Sequence, residues 1–150
     1  MSRIDFYHLQ KQTIEQVLPK LVEKAYGLKK NIKILIGNEE RVEFLNNHLW
    51  TFNDEKFIPH GSKKDGFSDI QPIYLSAGDE NPNNATLLFL VDDATIDISQ
   101  AQNFERIFCI FNGNSDFSLE KAREFWKTAS KSGYELYYWQ QSNDGVWHQK

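Results

Sequence analysis

The residues of this chain that could do chemistry are two adjacent aspartates, four histidines, one cysteine and a run of cations near the C-terminus. Asp92 and Asp93 follow the apolar run Leu88-Phe89-Leu90-Val91, where nucleotide hydrolases present a metal-binding carboxylate. Such a site also needs a phosphate cradle. Gly37-Asn38-Glu39-Glu40, after another apolar run, has one glycine, no Lys-Ser/Thr pair and two carboxylates that would repel phosphate. Carboxylates at the end of a buried strand also commonly cap the next helix. A nucleotide-binding or hydrolytic protein using Asp92 and Asp93 is therefore the alternative to a protein without catalysis. His8, His48, His60 and His148 are scattered without ligand spacing, and no Ser, Cys or Lys stands in a nucleophile motif. Cys109 lies within Ile107-Phe108-Cys109-Ile110-Phe111 and, being alone, reads as a buried, reduced thiol. The expectation is no catalytic residue, no metal and no cofactor.

The cations are more informative. Between Ser118 and Lys131 there are four basic residues and two acidic ones, in a chain whose formal net charge is -4. Leu119, Ala122, Phe125, Trp126 and Ala129 form an apolar stripe at helical spacing, and Arg123, Lys127 and Lys131 fall at four-residue steps beside it. Trp126 stands at the border. An acidic peptide with an apolar or aromatic end fits that pattern: the ring packs on Trp126 while the cations meet carboxylates. An ordinary amphipathic helix with a solvated basic edge has the same pattern. A second candidate is Leu49-Trp50-Thr51-Phe52 with Phe57-Ile58-Pro59-His60, two aromatic groups around a short polar turn. It reads either as core or as a protein–protein hot spot.

The elements that must position these residues alternate between strand and helix patterns. Ile4–Leu9, Ile32–Ile36, Ile70–Leu75, Thr86–Val91, Phe104–Phe111 and Tyr134–Trp139 read as strands, the last followed by a short polar tail. Thr13 opens a helix interrupted by Pro19, where the chain either kinks or, as proline geometry favours, starts the main helix. Gly27 and Asn31 mark its end. Asn38 caps a second helix carrying Val42, Phe44, Leu45, His48 and Leu49, and residues 118–132 form the last, stopped by Gly133. Phe57-Ile58 is a short extended piece closed by Pro59. Gly61 to Asp69 reads as a mobile loop and Gly78 to Asn84 as a turn-rich connection. The alternation predicts an α/β fold: one open, mainly parallel twisted sheet with helices on both faces, Rossmann-like without a phosphate-binding loop, in a single domain over 1–150.

Composition narrows the setting. The chain is 40% hydrophobic and 25% charged, ordinary for a globular domain. No signal pattern opens it and no run is long enough to cross a bilayer, so a cytoplasmic protein without a membrane partner is expected. The net charge has the wrong sign for a surface that tracks phosphates; direct DNA binding would need a local patch such as Lys63, Lys64 and the last helix. Most of the aromatics, 14% of the chain, are expected in the core, and a surplus beyond what one small core can hide would point to an interface.

Five blocks carry a resemblance: Phe6-Tyr7-His8-Leu9; the helix leading into Ile32-Lys33-Ile34-Leu35-Ile36; Leu49-Trp50 followed by Phe57-Ile58-Pro59-His60; Arg123-Glu124-Phe125-Trp126-Lys127; and Gly133-Tyr134. In order and spacing they resemble the chi subunit family of the bacterial DNA polymerase III holoenzyme, over nearly the whole chain. The resemblance implies a non-catalytic accessory subunit with a nucleotide-binding type of fold that has lost its phosphate loop. It implies two partners: the psi subunit, which links chi to the clamp loader, and the acidic, phenylalanine-ending C-terminal tail of single-stranded DNA-binding protein. Arg123, Trp126 and Lys127 match tail-binding positions. Trp50 and Phe57, in the block that also holds Pro59 and His60, match the psi-facing surface, which is also a place for a helicase-like partner. The stretches 61–69 and 78–84, and Asp92-Asp93, have no family pattern. A monomer that pairs with a different chain is expected.

Overall fold

The computed structural model describes residues 2–51, 60–142 and 144–150, with Trp50 described by its backbone alone. Eight strands are described: β1 Arg3–Leu9, β2 Ile32–Ile36, β3 Gly61–Ser62, β4 Ile73–Ser76, β5 Leu87–Val91, β6 Arg106–Asn112, β7 Glu135–Gln141 and β8 Trp147–Gln149. Four helices join them: α1 Ile14–Tyr26, α2 Glu39–Thr51, α3 Ile98–Ala101 and α4 Asp116–Lys131. The strands form one sheet in the order β3-β4-β2-β5-β6-β1-β7-β8, parallel except for β8, which runs antiparallel to β7.

The central strands β2 and β5 are buried along their whole length, as near-continuous Ile/Leu/Val runs require when both faces are covered. Alternate side chains feed two cores. Ile34, Ile36, Phe89, Val91 and Ile110 face the core shared with α1 and α2. Ile4, Phe6, Leu88, Leu90 and Cys109 face the one shared with α4. Cys109 is buried as expected, and burial pushes its thiol up to about 12.

Pro19 departs from expectation. It starts no helix but sits inside α1, which runs unbroken from a capping box in which Gln16 Oε1 accepts from the Thr13 N–H at 2.9 Å. A proline inside a helix orphans the carbonyl four residues back, that of Glu15. Here the His48 ring of α2 donates from Nε2 to that carbonyl at 2.6 Å, so the lost bond is replaced.

Four short elements were not legible. The stretch expected to be loop from Gly61 begins with buried edge strand β3, paired with β4, and a 3₁₀ turn Lys63–Asp65. Asn46 of α2 donates to Asp65 at 2.7 Å and ties the turn down. The polar tail contains β8, whose Trp147 meets Tyr7 edge-on at 5.1 Å. Helix α3 is a single turn capped by Asp97, whose Oδ1 accepts from the Ser99 N–H at 2.9 Å. Phe44, counted with the apolar face of α2, is instead exposed, with the Arg41 guanidinium 4.8 Å from its ring centre.

Helix α4 is set firmly. Ser115 caps its start by accepting from the Ser118 N–H at 3.2 Å, and Gly133, at φ 81°, ends it in a conformation that favours glycine. Ala122, Phe125 and Ala129 are buried against the sheet. Arg123 and Lys127 are thereby turned outward along one flank.

Candidate functional site

Two hollows border α4. The first lies at the carboxyl ends of β1, β5 and β6, where open α/β sheets usually hold ligands. It has a volume of about 470 Å³ and a polar lining that includes Asp92, Asp93 and Ser118. Asp92 and Asp93 form a tight turn with φ of 51° and 63°. Neither caps the following helix, which Asp97 serves. Asp92 accepts from Arg41 Nε at 2.9 Å, and the same guanidinium pairs with Glu15. The hydrogen bond to Asp92, first of all, holds Arg41 above its ordinary pKa. Burial works to raise Glu15, but hydrogen bonding from Arg41 prevails and leaves its carboxyl below the usual range. Asp93 accepts from the Ser118 hydroxyl at 2.6 Å. The alternative use of Asp92 and Asp93 thus meets two carboxylates already committed to neighbours. Among the described residues, no group of three or more His, Cys, Asp or Glu is arranged to hold a metal ion.

The second hollow, about 380 Å³, lies between the outer flank of α4 and strands β1, β6 and β7. Phe6, Phe111, Leu119 and Ala122 make its apolar lining. Trp126 forms a wall: its ring centre is 5.0 Å from that of Phe6 and 6.1 Å, nearly edge-on, from that of Tyr138. Arg123 and Lys127 complete the lining from α4. The Arg123 side chain is 67% exposed and only 4.0 Å at closest from Glu120, so it is held weakly by its own helix. The three residues that the sequence placed on one helix face therefore surround a preformed apolar cavity.

The sequence missed the floor of this cavity. His8 of β1 and Tyr138 of β7 meet there through a hydrogen bond between ring Nδ1 and the phenol hydroxyl. The available signal was strand alternation, which puts Phe6 and His8 on one face. What no local pattern shows is that β7 lies beside β1, with Phe6 opposite Tyr138. Gly113 makes room for the imidazole, since a Cβ there would come within 1.9 Å of His8 Nε2.

The other sequence-derived candidates are less assembled. Phe57, Pro59 and the Trp50 side chain lie outside the described residues. His60 is buried, with Nε2 donating to the Asn46 carbonyl at 2.9 Å, so it anchors its segment to α2 rather than facing solvent. Lys63 and Lys64 are exposed in the 3₁₀ turn beside β3, an element at the opposite sheet edge from β8.

Residues 1–137 match the sequence model of the family described as DNA polymerase III chi subunit, HolC. This chain belongs to the chi subunit family. Two relatives agree with that placement. A probable DNA polymerase III subunit chi from Rickettsia prowazekii is 34% identical over 109 residues, 72% of this chain and 66% of that protein. A DNA polymerase III subunit chi from Pseudomonas aeruginosa is 30% identical over 91 residues, 59% of this chain and 63% of that protein. The chain thus spans just under two thirds of the length of each relative it matches. The description of that family names a subunit of DNA polymerase III. The family match stops inside β7, so β8 lies beyond it. No described helix is long and apolar enough to cross a membrane.

Proposed function

We propose that this chi-family chain is a non-catalytic, cytoplasmic adaptor that takes the acidic C-terminal tail of single-stranded DNA-binding protein in the cavity beside α4. The observation that carries the reading is one apolar hollow walled by Trp126 and flanked by the cations Arg123 and Lys127. An aromatic tail residue fills the hollow, and the preceding carboxylates pair with the two cations. Because the cations are exposed, the contact is modest and sensitive to salt.

The second arm of the adaptor is the psi subunit of the clamp loader, docked through Trp50, Phe57 and Pro59, with the buried His60 holding the end of that segment on α2. Exposed Phe67 and Ile70, close in sequence to that segment, support an apolar docking surface there. A helicase-like protein would compete for the same surface.

Calorimetric titration with a synthetic acidic peptide ending in phenylalanine tests the tail site. The expected result is a Kd in the micromolar range, about -8 kcal/mol, that weakens with added salt. Arg123→Ala removes most of the binding while leaving the fold intact. A folded wild-type protein that binds no peptide at low salt would overturn the assignment of this cavity.

A further inference from the structure

A third hollow lies on the other flank of α4, away from the tail cavity. It measures about 350 Å³ and opens between the helix and the segment 95–98 that leads from β5 into α3. Ile96, Ile98 and Phe125 give it an apolar lining, which Phe117 completes. Phe117 is 62% exposed, although the next residue of the helix, Ser118, is buried. The Ser115 cap fixes that register, so Phe117, Lys121, Glu124 and Thr128 share one flank at helical spacing. The facing segment is held in place as well, because the Tyr134 hydroxyl donates to the Ile98 carbonyl at 3.3 Å. This hollow and the tail cavity have no lining residue in common.

Its charge is opposite to that of the tail cavity. Glu120 and Glu124 line it, and the exposed Asp97 and Asp116 are the chain neighbours of Ile98 and Phe117. The cation in the lining, Lys121, lies over an aromatic ring, with Nζ 5.0 Å from the centre of Phe117. Both glutamates are available. Glu120 has only the 4.0 Å approach of Arg123, and the Glu124 side chain has no ion pair or hydrogen bond among the described residues. An acidic ligand is repelled here, whereas one that brings an apolar side chain flanked by cations meets both the lining and the rim. Glu120 and Glu124 are also one helical turn apart, about 6 Å along the axis. A second helix laid along α4 repeats that step between its own residues i and i+4.

We propose that this flank docks a basic amphipathic helix of a partner protein. An apolar side chain of that helix enters the hollow against Phe117 and Phe125, and lysines or arginines at i and i+4 pair with Glu120 and Glu124. Helix α4 then serves two ligands of opposite charge, one on each flank, with no residue shared between them.

The test is an amide NMR titration of the full chain with two end-blocked helical peptides. Both carry leucine at i and i+4; one has lysine at i+1 and i+5, and the other has glutamate there. The lysine peptide shifts the resonances of residues 95–98 and 117–124 and binds more weakly as salt is added, while the glutamate peptide leaves those resonances unmoved. Glu120→Lys combined with Glu124→Lys weakens the lysine peptide about tenfold or more, and Phe117→Ala does so to a similar extent. Both variants alter exposed side chains, and their amide spectra report whether the fold is kept. No shift at these residues, equal shifts with both peptides, or wild-type affinity in the folded double variant overturns the proposal. Shifts at the same residues that grow with protein concentration alone overturn it in favour of a second copy of this chain. The phenylalanine-ending acidic peptide, titrated into the same wild-type protein, reads the other flank separately. Its binding without that of the lysine peptide removes this docking site and leaves the adaptor reading standing, and the reverse result removes the tail site alone.

Discussion

The two hollows on either side of the start of α4 differ in how their charges are spent. In the crevice at the strand ends, Arg41 bridges Glu15 and Asp92 while Ser118 holds Asp93. Beside the helix, Arg123 has only a 4.0 Å contact with Glu120, and Lys127 has no ion pair among the described residues. A site that binds through charge must leave that charge available, and a site that stabilises must not. The polar crevice therefore reads as a knot between α1, α2 and β5. The smaller, more apolar cavity is where a partner can gain from contact. In this chain the place where open α/β sheets usually bind has been given over to holding the fold together.

Breaking that contrast is straightforward. The largest effect is expected from Arg123→Ala combined with Lys127→Ala, which should weaken the tail peptide about 100-fold, roughly 2.7 kcal/mol. Urea unfolding of the same double variant should give an unchanged midpoint. Arg41→Met should do the reverse. It leaves Glu15 and Asp92 without their shared cation and should cost about 1–2 kcal/mol in urea unfolding, below the figure for a fully buried pair because these side chains stay partly in water. Calorimetry of Arg41→Met should show wild-type peptide affinity.

A smaller effect concerns acid. The Glu15 carboxyl has a lowered pKa in the folded state, so its contribution is complete above the unfolded value of about 4.3 and is lost as pH falls through the folded value. Acid titration followed by circular dichroism should therefore show a limb below pH 4.3 that is shallower in Arg41→Met. The smallest effect is none at all: a thermal melt with magnesium and a nucleotide panel should shift by less than a degree. A clear upward shift would show that Asp92 and Asp93 do more than hold the chain, and would restore the nucleotide reading.

Local pattern carried the sequence a long way where the chain makes its own contacts. The double burial of β5 shows in an unbroken apolar run, while the cap at Asn38 and the stop at Gly133 depend on neighbours a few residues away. So does the flank that gathers Arg123, Trp126 and Lys127. The failures share one cause, a contact made across the fold. Pro19 looked like a helix start because its compensating donor, His48, comes from another helix. Edge strands β3 and β8 are two and three residues long, too short to show a period, and exist because a neighbouring strand offers its edge. Asp5 gave no sign of being fully buried, because Arg106 and Trp139, which bond its two carboxylate oxygens, come from strands more than a hundred residues away. The cavity floor was hidden for the same reason.

The bond from His48 to the Glu15 carbonyl carries a consequence for inheritance. While residue 19 is proline, an imidazole at position 48 gives the Glu15 carbonyl the donor that residue 19 lacks. Once residue 19 regains a backbone N–H, that task vanishes and position 48 is released to drift. The order of the two changes then matters: losing the histidine first is harmful, and losing the proline first is not. Lineages of this protein should show the proline disappearing ahead of the histidine, never the other way round.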